Sequence, residues 1–192
     1  MRDRRLPPGP ATPPDSVDAN QRERLCAALV AVSEEKGFDE ARIEDLVRLS
    51  GVSRRDFYKR FQDKEDCLIA TVRAIAEIAN EGTPSVEEDP PGETVEEAIE
   101  RAKASLSEFL ELIHGQPAAA RLFFCESYAG GPEALKAVDE AALNFVARIR
   151  RRLESIPGYS GLPDKLPHAI VGGYHKLIQS RLYRREEDSL PG

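Results

Sequence analysis

Residues 53–64 read SRRDFYKRFQDK, five lysines and arginines against two aspartates, so a local charge of +3 sits in a chain of net charge −7. The side chains gathered there are hydrogen-bond donors. Arginine and lysine donate to guanine O6 and N7 and to phosphate oxygens, and a tyrosine hydroxyl adds a phosphate contact. Arg54, Arg55, Tyr58 and Lys59 therefore suit recognition of a polyanion and of base edges, a chemistry that breaks no covalent bond. The nearest approach to a catalytic spacing is Glu111–His114, the E-x-x-H used by carboxylate-bridged di-iron bundles. Such bundles need the motif twice plus two more glutamates, and neither His168 nor His175 has a glutamate three residues before it. Those two histidines are seven residues apart, about 10 Å along a helix and too far for one metal. No P-loop, HExxH or GxSxG occurs. The chain reads as a non-enzyme with no cofactor and no metal ligands.

A basic stretch alone is ordinary solvated surface, so the elements that present it decide. Leu25, Ala28, Leu29 and Val32 recur at i, i+3, i+4 and i+7, one apolar stripe of a helix that starts near Gln21 and stops at Gly37, with Phe38 as anchor. Ile43, Leu46 and Val47 mark a short second helix. Ser50-Gly51-Val52 is a tight turn. Ser53 opens a third helix with Asp56 three residues on, the capping-box spacing, and Phe57 and Phe61 face inward. Asp63 caps a fourth helix, from Lys64 to about Asn80, with Leu68, Val72, Ile75 and Ile78 on its buried side. Two short helices, a glycine turn and a polar outer face make a helix-turn-helix over residues 42–60, which turns the local charge into an expectation of DNA binding.

The whole chain is expected to be all-α, because period-2 runs of β-branched residues are missing. Residues 1–18, with Arg2, Arg4, Arg5 and five prolines, read as a disordered arm; residues 19–66 as a three-helix helix-turn-helix DNA-binding domain; residues 67–192 as a C-terminal helical ligand-binding and dimerisation bundle. GTPSVEEDPPG at 82–92 is a linker by composition. Helical patterns follow over 93–114, 117–128, 132–155 and 164–186, eight helices in all. Cys26, Cys67 and Cys125 sit among apolar neighbours with no CxxC, the usage of reduced cysteines in a cytoplasmic protein, and no apolar run is long enough for a membrane span.

Gly37-Phe38, followed by IEDLVRLSGVSRRDFYKRFQDKEDCL from Ile43 to Leu68, resembles the TetR-type repressors, whose DNA-binding domain carries G-[YF] and then GVS, FY, F and KE at this spacing. The likeness covers about residues 21–80. It implies that Tyr58 and Lys59 contact phosphates, and that Arg54 and Arg55 reach base edges or backbone from a recognition helix opened by Ser53. It places Lys64 near phosphate at a helix N-terminus, and Arg42 where the family often has Thr or Ser against phosphate. Ala41 replaces the family's usual Thr, leaving Asp39 to cap the second helix. Val47 and Leu49 replace a usual Ala pair, a bulkier packing expected to shift that helix. Arg55 stands where a small residue is common, which implies a different base preference.

One recognition helix buries too little surface for specific affinity, so a homodimer on double-stranded DNA with a palindromic operator is expected. The last helix, with Ile170, Val171, Tyr174, Leu177, Ile178, Arg181 and Leu182 around Gly172-Gly173, has a stripe broad enough for dimerisation. The sequence stops at Ser189-Leu190-Pro191-Gly192, where TetR-type proteins usually begin another helix that completes a four-helix dimer interface. Polar residues among apolar neighbours are His114, Arg121, Glu126, Tyr128, Asn144, Arg148, Tyr174 and His175. Helical phase assembles from these a pocket for a small-molecule effector: Phe109, Phe123, Phe124, Asn144, Tyr174 and His175. A ligand there is expected to tilt the fourth helix and release a repressor from DNA. The alternative is a DNA-binding regulator with no small-molecule effector, controlled by a protein partner or constitutive, and a cavity of several hundred Å³ discriminates the two.

Overall fold

The structure, a computed structural model, describes residues 14–81, 94–155 and 163–190; among these are eight α-helices and no strand. α1 (Pro14–Lys36) begins well before Gln21, so the last residues assigned to the arm are helical. Proline fits the first turn because its missing N–H has no helical partner there. Polar residues 15–20 show no apolar period, and the ion pair from Asp18 to Arg60 is a contact that periodicity does not reveal. The arginines of the arm and the 82–92 linker lie outside the described residues.

α2 (Ile43–Ser50) and α3 (Arg54–Tyr58) form the helix-turn-helix. Gly51 joins them at φ 67°, and its N–H bonds Val47 O at 3.0 Å. A Cβ there would sit 2.8 Å from the Arg24 guanidinium, which donates to Ser50 O from above the turn. The left-handed backbone favours glycine, whereas the Arg24 head lies at the end of a flexible side chain that can shift. Leu46, Phe57 and Phe61 turn inward against Leu25 and Leu29 of α1. Of the two bulkier replacements, Leu49 is 52% exposed and stays outside the core, whereas Val47 is partly buried and packs against it.

α4 (Lys64–Glu81) is buried through Cys67, Leu68, Ala70, Thr71 and Val72, then exposes Ile78. α5 (Val95–Gly115) starts at a capping box: Thr94 Oγ1 accepts from Glu97 N at 3.3 Å, and Glu97 Oε2 accepts from Thr94 N at 2.8 Å. The helix expected over 117–128 is broken into three pieces. α6 (Pro117–Arg121) runs into a π-turn at Leu122–Glu126 and a 3₁₀ turn at Ser127–Gly130, where Ser127 Oγ donates to Phe123 O at 2.6 Å. α7 (Gly131–Ser155) packs on α4, and α8 (Leu166–Tyr183) closes the bundle. Arg185, at φ 59°, turns the chain so that Leu190 is buried. One continuous apolar cluster runs from Leu25 through Leu68 to Leu190, so the core is unbroken at residues 66–67. No described helix is long and apolar enough to cross a membrane.

Candidate nucleic-acid interface and effector cavity

α3 owes its form to local chemistry. Ser53 Oγ accepts from Asp56 N at 3.1 Å and donates to Asp56 Oδ2 at 2.7 Å, which caps the first turn. Phe57 is fully buried, edge-on to Tyr58 at 5.4 Å. With Phe57 fixed, Arg54, Arg55, Tyr58 and Lys59 are turned outward and exposed. Arg54 and Tyr58, one turn apart, present one strip, with the guanidinium 5.8 Å from the ring centroid. Arg55 and Lys59 make the adjacent strip. Arg54 Nη1 pairs with Glu44 Oε1 at 2.5 Å and Lys59 Nζ with Asp56 Oδ1 at 2.6 Å. Those lysine and serine contacts hold Asp56 below the usual carboxylate range. Exposed pairs of this kind contribute about 0–1 kcal/mol, so a phosphate can replace the partner at little cost. Arg42 is exposed at the N-terminus of α2 and completes the basic surface.

Two expectations fail here. Lys64 is not presented to a phosphate. Its ammonium donates to three backbone carbonyls, Phe38 O and Asp39 O at 3.0 Å and Ala41 O at 3.3 Å, and lies 4.6 Å from the Phe38 ring centroid. All three N–H donors are thereby engaged, and Lys64 pins the α1–α2 loop to the start of α4. Asp39 does not cap α2. That work falls to Asp45, whose Oδ2 accepts from Arg42 N at 3.2 Å and from Lys36 Nζ at 2.5 Å.

A cavity of about 460 Å³ opens between α4, α5, α7 and α8. Phe109, Phe123, Phe124, Tyr174 and His175 line it as the helical phase predicted, with Ile75, Ala76 and Ala79 of α4 facing them. Asn144 does not: one residue before Phe145, it is rotated about 100° away and exposed. The wall is almost wholly apolar, broken by Gln116, Tyr174 and His175. His175 stands edge-on to Phe124 at 4.9 Å, and burial lowers its pKa, favouring the neutral imidazole. A second cavity, about 390 Å³, adjoins the first.

Arg121 and Glu126 flank the two cavity phenylalanines yet face the other way, which their isolation among apolar residues could not specify. Arg121 Nε and Nη2 grip Glu34 of α1, each at 2.7 Å, and Arg185 Nη1 reaches the same carboxylate at 2.7 Å. The Arg121 hydrogen bonds, then those of Arg185, hold the Glu34 carboxyl below its ordinary range despite partial burial. Glu126 Oε2 accepts from Phe38 N at 2.6 Å, while burial pushes its own pKa up. The π-turn therefore has Phe123 and Phe124 in the cavity wall and Glu126 on the α1–α2 loop that leads into the helix-turn-helix. Among the described residues no three His, Cys, Asp or Glu side chains converge on a metal site; Glu111 and His114 are exposed at the end of α5.

Residues 25–71 match the family model described as "Bacterial regulatory proteins, tetR family". Over 145 residues the chain is 32% identical to the HTH-type transcriptional regulator RutR of Escherichia coli K12, covering 75% of this chain and 63% of RutR. The chain thus spans somewhat under two thirds of that relative's length. In structure it is similar to the transcriptional regulator FadR of Bacillus subtilis, solved in complex with stearoyl-CoA (TM-score 0.67, 18% identity, 88% of this chain and 95% of that one). FadR of Bacillus halodurans, a fatty acid degradation regulator, has TM-score 0.69 at 17% identity, over 88% and 91% of the two chains. At such identities the likeness is one of fold.

Proposed function

We propose that this chain, a member of the TetR family through its residues 25–71, is a cytoplasmic transcriptional repressor that leaves its operator when a small molecule fills the bundle cavity. It acts as a homodimer on a palindromic site, α3 of each subunit entering the major groove. Arg54 and Arg55 reach base edges, and Tyr58, Lys59 and Arg42 hold phosphates. The exposed side of α8, with Gly172, Gly173 and the half-exposed Leu177, offers the surface for pairing.

The observation that carries the effector reading is the π-turn. Phe123 and Phe124 form cavity wall while Glu126, in the same turn, holds the Phe38 N–H at the entrance to α2. π-Turns recur at functional positions because the widened ring is a strained, movable insertion. α4 is the second connection. Lys64 grips the α1–α2 loop at one end, and Ile75 and Ala76 meet the cavity about 16 Å further along. A ligand that pushes these walls apart moves both attachments of the helix-turn-helix. It needs a differential affinity of about 1–3 kcal/mol between the two states to change DNA occupancy 5- to 150-fold.

The test is selection of bound duplexes from a randomised pool, with gel retention of the winning sequence. The pool should converge on a palindrome with half-sites one turn apart. The double variant Tyr58→Ala, Lys59→Ala should lose retention while its helical circular dichroism is unchanged. Undiminished retention by the double variant overturns the DNA assignment.

A further inference from the structure

The chain has seven phenylalanines, and the four beyond Phe61, namely Phe109, Phe123, Phe124 and Phe145, all line the first cavity. They reach it from three directions: Phe109 from α5, Phe145 from α7, and Phe123 and Phe124 from the π-turn. Phe109 and Phe145 lie 5.4 Å apart with their planes at 53°, and Phe123 and Phe124 lie 5.0 Å apart at 67°. His175 extends the second pair, at 60° to Phe124. A ring entering between pairs so inclined meets its neighbours edge-to-face or offset, the arrangements that aromatic rings prefer. Phe109 and Phe145 are only partly buried, which leaves ring surface open to such a contact. Charge is missing from this wall. Among the described residues no Asp, Glu, Lys or Arg lines it, and burial holds His175 toward its neutral form. An ion enclosed there would lose hydration without gaining a counter-charge. The basic residues nearby, Lys103, Arg148 and Arg152, line the adjoining cavity and already hold Glu100, Asn80 and Ser105. No hydrogen bond joins the His175 ring nitrogens to another described residue. A neutral imidazole, with one donor and one acceptor, is therefore left for a ligand.

We propose that the bundle cavity takes as its effector an uncharged aromatic compound bearing a hydroxyl or carbonyl, its rings among Phe109, Phe123, Phe124 and Phe145 and its polar group at His175. This rests on the effector reading above and narrows it to a ligand class. The four rings select an aromatic over a saturated skeleton, because edge-to-face contact adds to what burial alone provides. The uncharged wall rejects a carboxylate or ammonium of the same shape. A volume of about 460 Å³ is that of a small-molecule site and is ample for two fused rings. Phe123 and Phe124 share their turn with Glu126, which accepts from Phe38 N, so a ring seated against this pair acts on the turn that touches the DNA-binding half.

The experiment is equilibrium dialysis of the full chain against β-naphthol, decahydro-β-naphthol, naphthalene and β-naphthoate, one skeleton with aromaticity, hydroxyl or charge changed in turn. β-Naphthol should bind about 2- to 10-fold tighter than its saturated counterpart. It should exceed naphthalene, which cannot hydrogen-bond to His175, by a similar factor, and β-naphthoate should bind weakest. The pair Phe109→Leu, Phe145→Leu should erase the preference for the aromatic skeleton while the saturated alcohol still binds, which separates loss of ring contact from loss of fold. A preference that survives in this variant overturns the ring assignment. His175→Phe should erase the advantage of β-naphthol over naphthalene, and an advantage that survives overturns the placing of the polar group. If the saturated alcohol or the carboxylate binds as tightly as β-naphthol, or none of the probes binds, the ligand class is overturned. Duplex retention at saturating β-naphthol judges the effector reading separately: a probe that binds and leaves retention unchanged refutes that reading and not the cavity's choice of ligand.

Discussion

Lys64→Met separates two accounts of a residue that the sequence places at a phosphate and the structure places against three carbonyls. Methionine keeps the stem and removes the ammonium. Hydrogen bonds from a charged donor contribute about 1.5–3 kcal/mol each when a single partner is removed. Here the sum is reduced: the 3.3 Å bond to Ala41 O is long, and Asp39 O belongs to an exposed residue that water can reach. Regained side-chain entropy offsets another 1–2 kcal/mol or so. The expected net cost is about 2–3 kcal/mol, a fall in Tm of roughly 5–10 °C for a chain this long. If Lys64 instead neutralised a phosphate, the variant would melt like the wild type, and the slope of log affinity against log salt would fall by about 0.9. Lys59→Met is the opposite case, with Tm almost unchanged because its pair with Asp56 is exposed and the salt slope reduced by about one charge. Calorimetric melting and duplex binding at four salt concentrations read both quantities. A Lys64→Met protein with wild-type Tm and a flattened salt dependence would refute the anchoring role.

Glu34→Gln should flatten the acid side of the stability curve. The Glu34 carboxyl is depressed in the fold, so its contribution is complete above its unfolded pKa and is lost as pH falls through the lower folded value. Urea midpoints of wild type and variant should therefore converge on acidification and stand furthest apart near neutrality; a constant gap counts against it. Cys26 should be the first thiol alkylated, with a rate midpoint near pH 7: the Cys67 thiol hydrogen-bonds to it and brings its pKa down to about 7, while that same interaction and burial raise Cys67. Peptide mapping after iodoacetamide treatment checks the order, and Cys67 labelled before Cys26 contradicts it.

What the sequence made legible is what short-range chemistry decides. Ser53 three residues before Asp56, Gly51 in a left-handed turn and Phe57 one helical step from Tyr58 are local facts, and the frame of α2 and α3 follows from them. Phe109, Tyr174 and His175 were reachable because helical period orients residues on the unbroken α5 and α8, whereas Phe123 and Phe124 reach the same cavity from the π-turn. Period fails where the helix is not regular. The π-turn at 122–126 adds a residue to the ring, and Glu126 at its end turns to the α1–α2 loop although its neighbours suggested a pocket. Asn144 misses the cavity by the single step that separates it from Phe145. Lys64 was misplaced for another reason: its partners lie 23 to 26 residues away in sequence, and a family pattern fixes its position without fixing its direction.

α3 divides its duties by side. Ser53, Phe57 and the glycine before them set the frame and tolerate little change, whereas Arg54 and Arg55 face solvent and contribute almost nothing to the stability of the free protein. If α3 reads DNA as proposed, replacing the outward pair alters which bases are preferred without threatening the fold. Operator preference would then drift by single substitutions at these two positions while the scaffold keeps its shape.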